Sequence, residues 1–227
     1  MKETVFRQLE QYMHLCMRDS AHDKEHVYRV LYTALDIASH EQDVNFDVLI
    51  TACLLHDIGR QAQFDDPTVC HAGRGAEMAH GYLIDAGFDS DFCRHVADCI
   101  RSHRFRKNSP PESIEAKILF DADKLDVAGA MGIARTLLYN GELGEPLYSR
   151  AADGSISDGS EDIAPSFFQE YHYKLKKLYT RFYTRRGTEL AAERQSHAVQ
   201  FYADLLRETC AAYDAKLFLS QLLLENN

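Results

Sequence analysis

The chain carries a histidine beside an aspartate, His56-Asp57, at the end of a run that is otherwise apolar, "ITACLLHDIGR" over residues 50 to 60. The segment from Val48 to Leu55 is apolar nearly all round, which is the pattern of a helix enclosed by other helices. His56 and Asp57 therefore begin in a buried place. A buried carboxylate without a partner is expensive, so it sits against a cation, a metal or a dense set of donors. Further ligands must come from elsewhere in the chain. His26 flanks the apolar stripe of "DKEHVYRVLYTALDIASH", one turn before Val30, and points toward the core. In "AKILFDADKLDVAGAMGIAR" a second apolar run ends in charge, with Asp121, Asp123, Lys124 and Asp126 following Phe120. Two neutral imidazoles and two carboxylates on three helices make a fair N2O2 shell for Mn, Fe, Zn, Co or, less naturally, Mg, with room for water.

The elements that must position these residues are helical. Val27, Val30, Leu31, Ala34, Ile37 and Ala38 recur at offsets 0, 3, 4, 7, 10 and 11, one stripe of an amphipathic helix. The same reading places helices at about 3–17, 46–58, 73–86, 90–104, 112–126 and 128–140. Their ends are marked by Asn45 as an N-cap, by Gly87 and Gly141 just past C-termini, and by Ser109 before Pro110-Pro111 at a start. No period-two strands stand out. The stretch from Gly141 to Pro165 is rich in Gly, Ser and Asp and reads as a long, mobile surface loop. Two long helical patterns follow at about 166–184 and 188–222, the second with room for a break near Tyr213-Asp214. The expected fold is all-α: one domain over 1–227, with a core at about 20–140, a loop at about 141–165 and C-terminal helices at about 166–225.

Composition bounds the class. With 227 residues the chain lies at the upper end of what one core serves, and its 45% hydrophobic content is ordinary for a globular chain. No run approaches the ~20 apolar residues that span a bilayer, and the N-terminus lacks the pattern of a signal peptide. Six cysteines at irregular spacings, with no CxxC, read as reduced structural residues in the cytoplasm. A net charge of -10 argues against a large nucleic acid as partner and leaves a small anionic ligand in a local pocket open.

Taken in order, His26, His56-Asp57 and Asp123 resemble the H…HD…D pattern of the HD-domain metal-dependent phosphohydrolases. More narrowly, "DADKLDVAGAMGIAR" and the C-terminal "FFQEYHYKLKKLYTRFYTRRGTELAAERQ" are similar to a bacterial subgroup whose third motif reads Asp-Ala-Asp-(Lys/Arg)-Leu-Asp. The resemblance implies a helical bundle with a C-terminal helical extension, and His26, His56, Asp57 and Asp123 as metal ligands. It also implies a phosphate contact at Lys124. Sister groups fit less well. Cyclic-dinucleotide phosphodiesterases carry Gly-Tyr-Pro where this chain has Gly81-Tyr82-Leu83, and alarmone hydrolases follow His-Asp with an acidic pair where this chain has Ile58-Gly59-Arg60-Gln61.

A divalent ion acidifies water and polarises a phosphoryl oxygen, while Lys and Arg neutralise charge on the phosphorus oxygens. Lys124 fits that work, or is an ion-pair partner of Asp121 or Asp126. Arg60, Arg101, Arg104 and Arg106 are further phosphate candidates. His71 and His103 are candidate acids or bases, or ligands of a second metal as in binuclear members of the superfamily, or else simple surface or capping residues. Asp126 is either an orienter behind the ligands or a structural cap. The expected activity is hydrolysis of a phosphate ester or anhydride, with a nucleotide such as a (deoxy)nucleoside triphosphate as the expected substrate. The alternatives are a di-iron oxygenase on the same scaffold and a metal- or nucleotide-binding module without turnover.

Overall fold

A computed structural model describes residues 1–17, 24–104 and 109–225. Among them there is no strand, only one isolated antiparallel bridge between Arg150 and Ile156, so the protein is all-α. The chain divides into two compact units, residues 1–126 with 182–189, and residues 127–181 with 190–227.

The first unit contains α1 (Glu3–Cys16), α2 (Lys24–Ala38), α3 (Phe46–Leu55), α4 (Arg60–Asp65), α5 (His71–Asp85), α6 (Ser90–Ser102) and α7 (Ile114–Asp126). Every apolar position of the α2 stripe is buried, and His26 is buried with it. The apolar wheel of α3 has the expected consequence: Val48, Leu49, Ala52, Cys53, Leu54 and Leu55 are all buried, with α1, α2, α6 and α7 packed around the helix. Each buried Val or Leu side chain among them contributes about 1.5–3 kcal/mol. Asn45 caps α3 by accepting from the N–H groups of Asp47 and Val48 at 3.1 and 3.2 Å.

Several boundaries differ from the sequence reading for local reasons. The α3 helix stops at Leu55, and His56 to Gly59 wind as turns into α4. The latter has no buried residue and therefore no apolar stripe to announce it. The start of α7 is set by Ser113, whose hydroxyl accepts from the Ala116 N–H at 3.1 Å, rather than by Ser109 ahead of the two prolines.

The second unit holds α8 (Gly129–Leu143), α9 (Phe167–Tyr173), a 3-10 stretch over Leu175–Thr180, and the bulk of α10 (Arg185–Ala212), followed by α11 (Lys216–Glu225). The α8 helix runs through Gly141 and ends at Gly144, whose φ of 70° suits glycine. The expected helix over 166–184 is broken after Tyr173, in a segment dense with aromatic residues of modest helix propensity. The tighter 3-10 winding still buries Leu175 with Ile133, Phe167, Phe168, Tyr171 and Ala198. The break between α10 and α11 falls at Tyr213-Asp214, where it was anticipated. Residues 144–165 are tied down in places. Ser149 and Ser157 both donate to Asp162 at 2.5 and 2.7 Å, and Gly159 lies so close to the Phe168 backbone that a Cβ would collide with it.

Candidate metal centre

All four histidines of the cluster are anchored through Nδ1 and turn Nε2 inward. His26, on the first turn of α2, donates from Nδ1 to Asp126 Oδ2 at 2.7 Å. Asp126 is itself clamped by Arg29, with Nε 2.7 Å from Oδ1 and Nη2 3.1 Å from Oδ2. His56, just past α3, donates from Nδ1 to the Cys53 carbonyl at 2.7 Å, and His103, just past α6, to the Ile100 carbonyl at 2.6 Å. His71, the first residue of α5, has Nδ1 2.5 Å from Gln63 Oε1. Such outer hydrogen bonds fix the tautomer that leaves Nε2 available as a ligand.

Asp57 stands between two groups of these nitrogens. Its Oδ2 lies 3.5 Å from His26 Nε2 and 3.7 Å from His56 Nε2. Its Oδ1 lies 3.5 Å from His71 Nε2 and 3.8 Å from His103 Nε2. Asp123 Oδ1 is 3.2 Å from His26 Nε2 and 3.9 Å from His56 Nε2. Two ligand sets result, His26 with His56 and Asp123, and Asp57 with His71 and His103, each within 4.8 Å of mutual reach. That limit is about twice the 2.0–2.4 Å bond of a divalent ion to nitrogen or oxygen, so either set can surround one ion.

Buried atoms without hydrogen-bond partners provide the fit test. Asp57 Oδ1, His71 Nε2 and His103 Nε2 have none, although all three are enclosed and face one another. Leaving a buried polar atom unsatisfied costs about 1–3 kcal/mol each. A cation among them removes that cost, and the donor set suits Mn, Fe, Zn or Co better than Mg.

Electrostatics agrees with this division of labour. Burial pushes the Asp57 and Asp123 carboxyls upward, but the surrounding imidazoles, and for Asp57 also Arg60, outweigh it and hold both below the usual carboxylate range. Burial lowers His56 to about 4, with Asp57 opposing, and lowers His71 to about 3 with help from the Arg60 charge. Both are thus held neutral at ordinary pH, the form in which an imidazole can bind a metal ion. Burial also opposes charge on His26, but hydrogen bonds to Asp123, Asp126 and Asp57 raise it to about 11. That proton occupies the place a metal cation competes for.

The cationic candidates fall into different settings. Arg60 Nε lies 2.9 Å from Asp57 Oδ2, close enough for an ion pair, although its N–H does not align as a hydrogen bond. Arg104 Nη1 is 3.4 Å from His71 Nδ1. The Lys124 ammonium lies 4.7 Å from the ring centroid of Phe182 and 5.6 Å from that of Phe120. Arg101 is on the exposed side of α6, bonded to Asp98 at 2.5 Å, and is not brought to the cluster. Arg106 lies outside the described residues. Gln63 and Arg29 were not foreseen. Arg29 was findable, one turn after His26 on the same helix face, whereas Gln63 sits on the helix that left no periodic signal.

Gly59 permits this packing. A Cβ there would collide with the His71 carbonyl and the Gly75 amide, the backbone that starts α5. Gly59→Ala is expected to destabilise the fold by about 1–3 kcal/mol in chemical denaturation, as overpacking does. An unchanged midpoint would show that α5 does not press on the turn after Asp57.

A helical fold enclosing ordered His, His-Asp and Asp residues defines the class, and comparison with known proteins agrees. The family model described as HD domain matches residues 24–128, from just before His26 to just past Asp123. The uncharacterized protein YpgQ of Bacillus subtilis (strain 168) is 30% identical over 193 residues, 83% of this chain and 85% of that protein. The chain belongs to the HD-domain family. Among solved structures, Bacillus subtilis YpgQ in complex with ADP is similar with a TM-score of 0.69 and 26% identity, covering 89% of this chain and 97% of the other. A predicted HD superfamily hydrolase from an uncultured Thermotogales bacterium is similar with a TM-score of 0.61 and 29% identity, covering 92% and 99%. No helix among the described residues is long and apolar enough to cross a membrane.

Proposed function

We propose that the protein is a metal-dependent phosphohydrolase of the subgroup carrying Asp-Ala-Asp-Lys-Leu-Asp, cleaving a phosphate ester or anhydride of a nucleotide such as a (deoxy)nucleoside triphosphate. One observation carries the reading: Asp57 offers one oxygen to each of two ligand sets, with Arg60 and Arg104 close by and Lys124 next to Asp123. His26, His56, Asp57 and Asp123 hold the first ion. His71 and His103, tethered through Nδ1 and facing Asp57, serve a second ion better than they serve as mobile acids or bases. Bound metal supplies Lewis-acid polarisation of a phosphoryl oxygen and acidification of water. Arg60, Lys124 and Arg104 bind and orient the phosphates and offset the charge that grows on their oxygens, since positioning and electrostatics carry most of phosphoryl transfer. Arg101, paired on the surface, is the weakest of the four candidates. The ADP in the YpgQ complex supports a nucleotide as the ligand class. Six free cysteines are in keeping with a reducing, cytoplasmic setting.

The test is metal analysis of the purified protein followed by product identification from mixed nucleotides with Mn, Fe, Co, Zn or Mg. Orthophosphate, pyrophosphate or tripolyphosphate in the products reports which bond is cut. Absence of all three with every metal would overturn the proposal, and tight nucleotide binding under those conditions would point to a regulatory module. The second ligand set also favours keeping a di-iron oxygenase as the rival reading. Stoichiometric iron and oxygen consumption in air, without phosphate release, would establish that rival instead.

A further inference from the structure

Asp121 is fully buried and does not belong to the metal cluster, although it stands two residues before Asp123. Its carboxylate accepts from the Tyr183 N–H at 3.0 Å, from the Thr184 N–H at 2.8 Å and from the Thr184 hydroxyl at 2.7 Å. Thr184 in turn accepts from the Gly187 N–H at 3.0 Å and so caps α10. Gly187 has no room for a Cβ, which would stand 2.6 Å from Asp121 Oδ2. Tyr183 packs edge-on against Phe120, with ring centroids 5.0 Å apart. Arg186 adds an anchor on α2, donating to Asp36 at 3.1 Å.

These contacts bolt residues 182–189 to the metal-binding unit, although the intervening residues 127–181 belong to the other unit. The first residue of this strap, Phe182, is half-buried and has its ring 4.7 Å from the Lys124 ammonium. Lys124 follows Asp121 by one helical turn, so the carboxylate and the ammonium address the same segment from the same face of α7. A flexible four-carbon stem gives an ammonium many positions, and an aromatic face narrows them alongside the ammonium's other partners.

We infer that Asp121 and Phe182 are positioning residues, with Asp121 fixing the strap so that Phe182 holds the Lys124 ammonium ready for a substrate phosphate. The inference rests on the phosphohydrolase reading for its kinetic consequence, while the positioning itself has a readout that does not need turnover.

The geometry is tested by NMR of the full-length protein. Lys124 ε-methylene resonances, identified as those that Lys124→Arg removes, are expected upfield under the ring current of Phe182. They should move back toward ordinary lysine values in Phe182→Leu, which keeps apolar bulk but has no π face, and in Asp121→Asn, whose amide opposes the N–H donors of the strap. Ordinary lysine shifts in the unmutated protein, or shifts indifferent to Phe182→Leu, would overturn the inference. If Asp121→Asn fails to fold, the Phe182→Leu comparison still decides. In turnover of the nucleotide cleaved fastest, Phe182→Leu should lower kcat/KM about three- to tenfold, as loss of a partly desolvated cation–π contact would, with metal content unchanged. The same substitution made in Lys124→Ala should change nothing further. An equal loss in both backgrounds would mean that Phe182 serves only the fold, and the positioning role would be rejected. If no nucleotide is cleaved, the phosphohydrolase reading fails by itself and the NMR comparison still answers whether the strap holds Lys124.

Discussion

Asp57→Ala is expected to leave the protein helical but without bound metal, and without any activity that depends on it. Among the described residues, Asp57 is the one carboxylate that faces both ligand sets, with Oδ2 near His26 and His56 and Oδ1 near His71 and His103. Its removal takes a ligand from each set at once. Altering an outer-shell partner alone typically costs about 10–100-fold in metal affinity, so loss of this carboxylate should exceed that range. The backbone has less reason to change. Leu49, Leu54 and Leu55 remain packed on all sides, and Ala is compatible with the turn into α4. Elemental analysis of the dialysed variant beside its circular dichroism spectrum separates the two effects. Metal content equal to that of the parent, in a folded variant, would remove Asp57 from the ligand set and the proposed centre with it.

The placement of this site was legible because burial leaves a periodic trace in sequence. A helix apolar on all faces must be enclosed, and an ionisable pair at its end must then find partners, which is how His56 and Asp57 stood out. His26 carried the same kind of signal, a polar residue on a stripe of buried ones. The parts that escaped lack such a trace. The α4 helix buries nothing, so neither it nor Gln63 was foreseen. Ser109 and Ser113 both stood near a helix start, and only the geometry after Pro110-Pro111 decides which one caps. Arg101 and Arg104 look alike in a basic stretch, yet one pairs with Asp98 on the surface and the other reaches His71. The strap is the hardest case. Asp121 meets Tyr183 and Thr184 across 62 and 63 positions, and nothing local to either segment encodes that pairing.

Lys124→Ala is expected to keep its metal yet lose roughly 1.5–3 kcal/mol of transition-state stabilisation, the scale of a hydrogen bond to a charged group. That is roughly a tenfold to hundredfold drop in kcat/KM. The expectation follows from where the side chain stands: next to Asp123 in the chain, half-buried, and held over the rings of Phe182 and Phe120 rather than spread on the surface. Lys124→Arg should restore only part of the loss, because a planar guanidinium fork does not reproduce a compact ammonium charge and would stack on Phe182 differently. Lys174 provides the comparison. It is an exposed lysine paired with Glu170 at 2.9 Å in the other unit, and its alanine variant should change the rate little. If Lys124→Ala and Lys174→Ala behave alike on the best substrate, Lys124 is not the phosphate contact. The charge that offsets the phosphorus oxygens must then come from Arg60 and Arg104, whose alanine variants would carry the loss assigned here to Lys124.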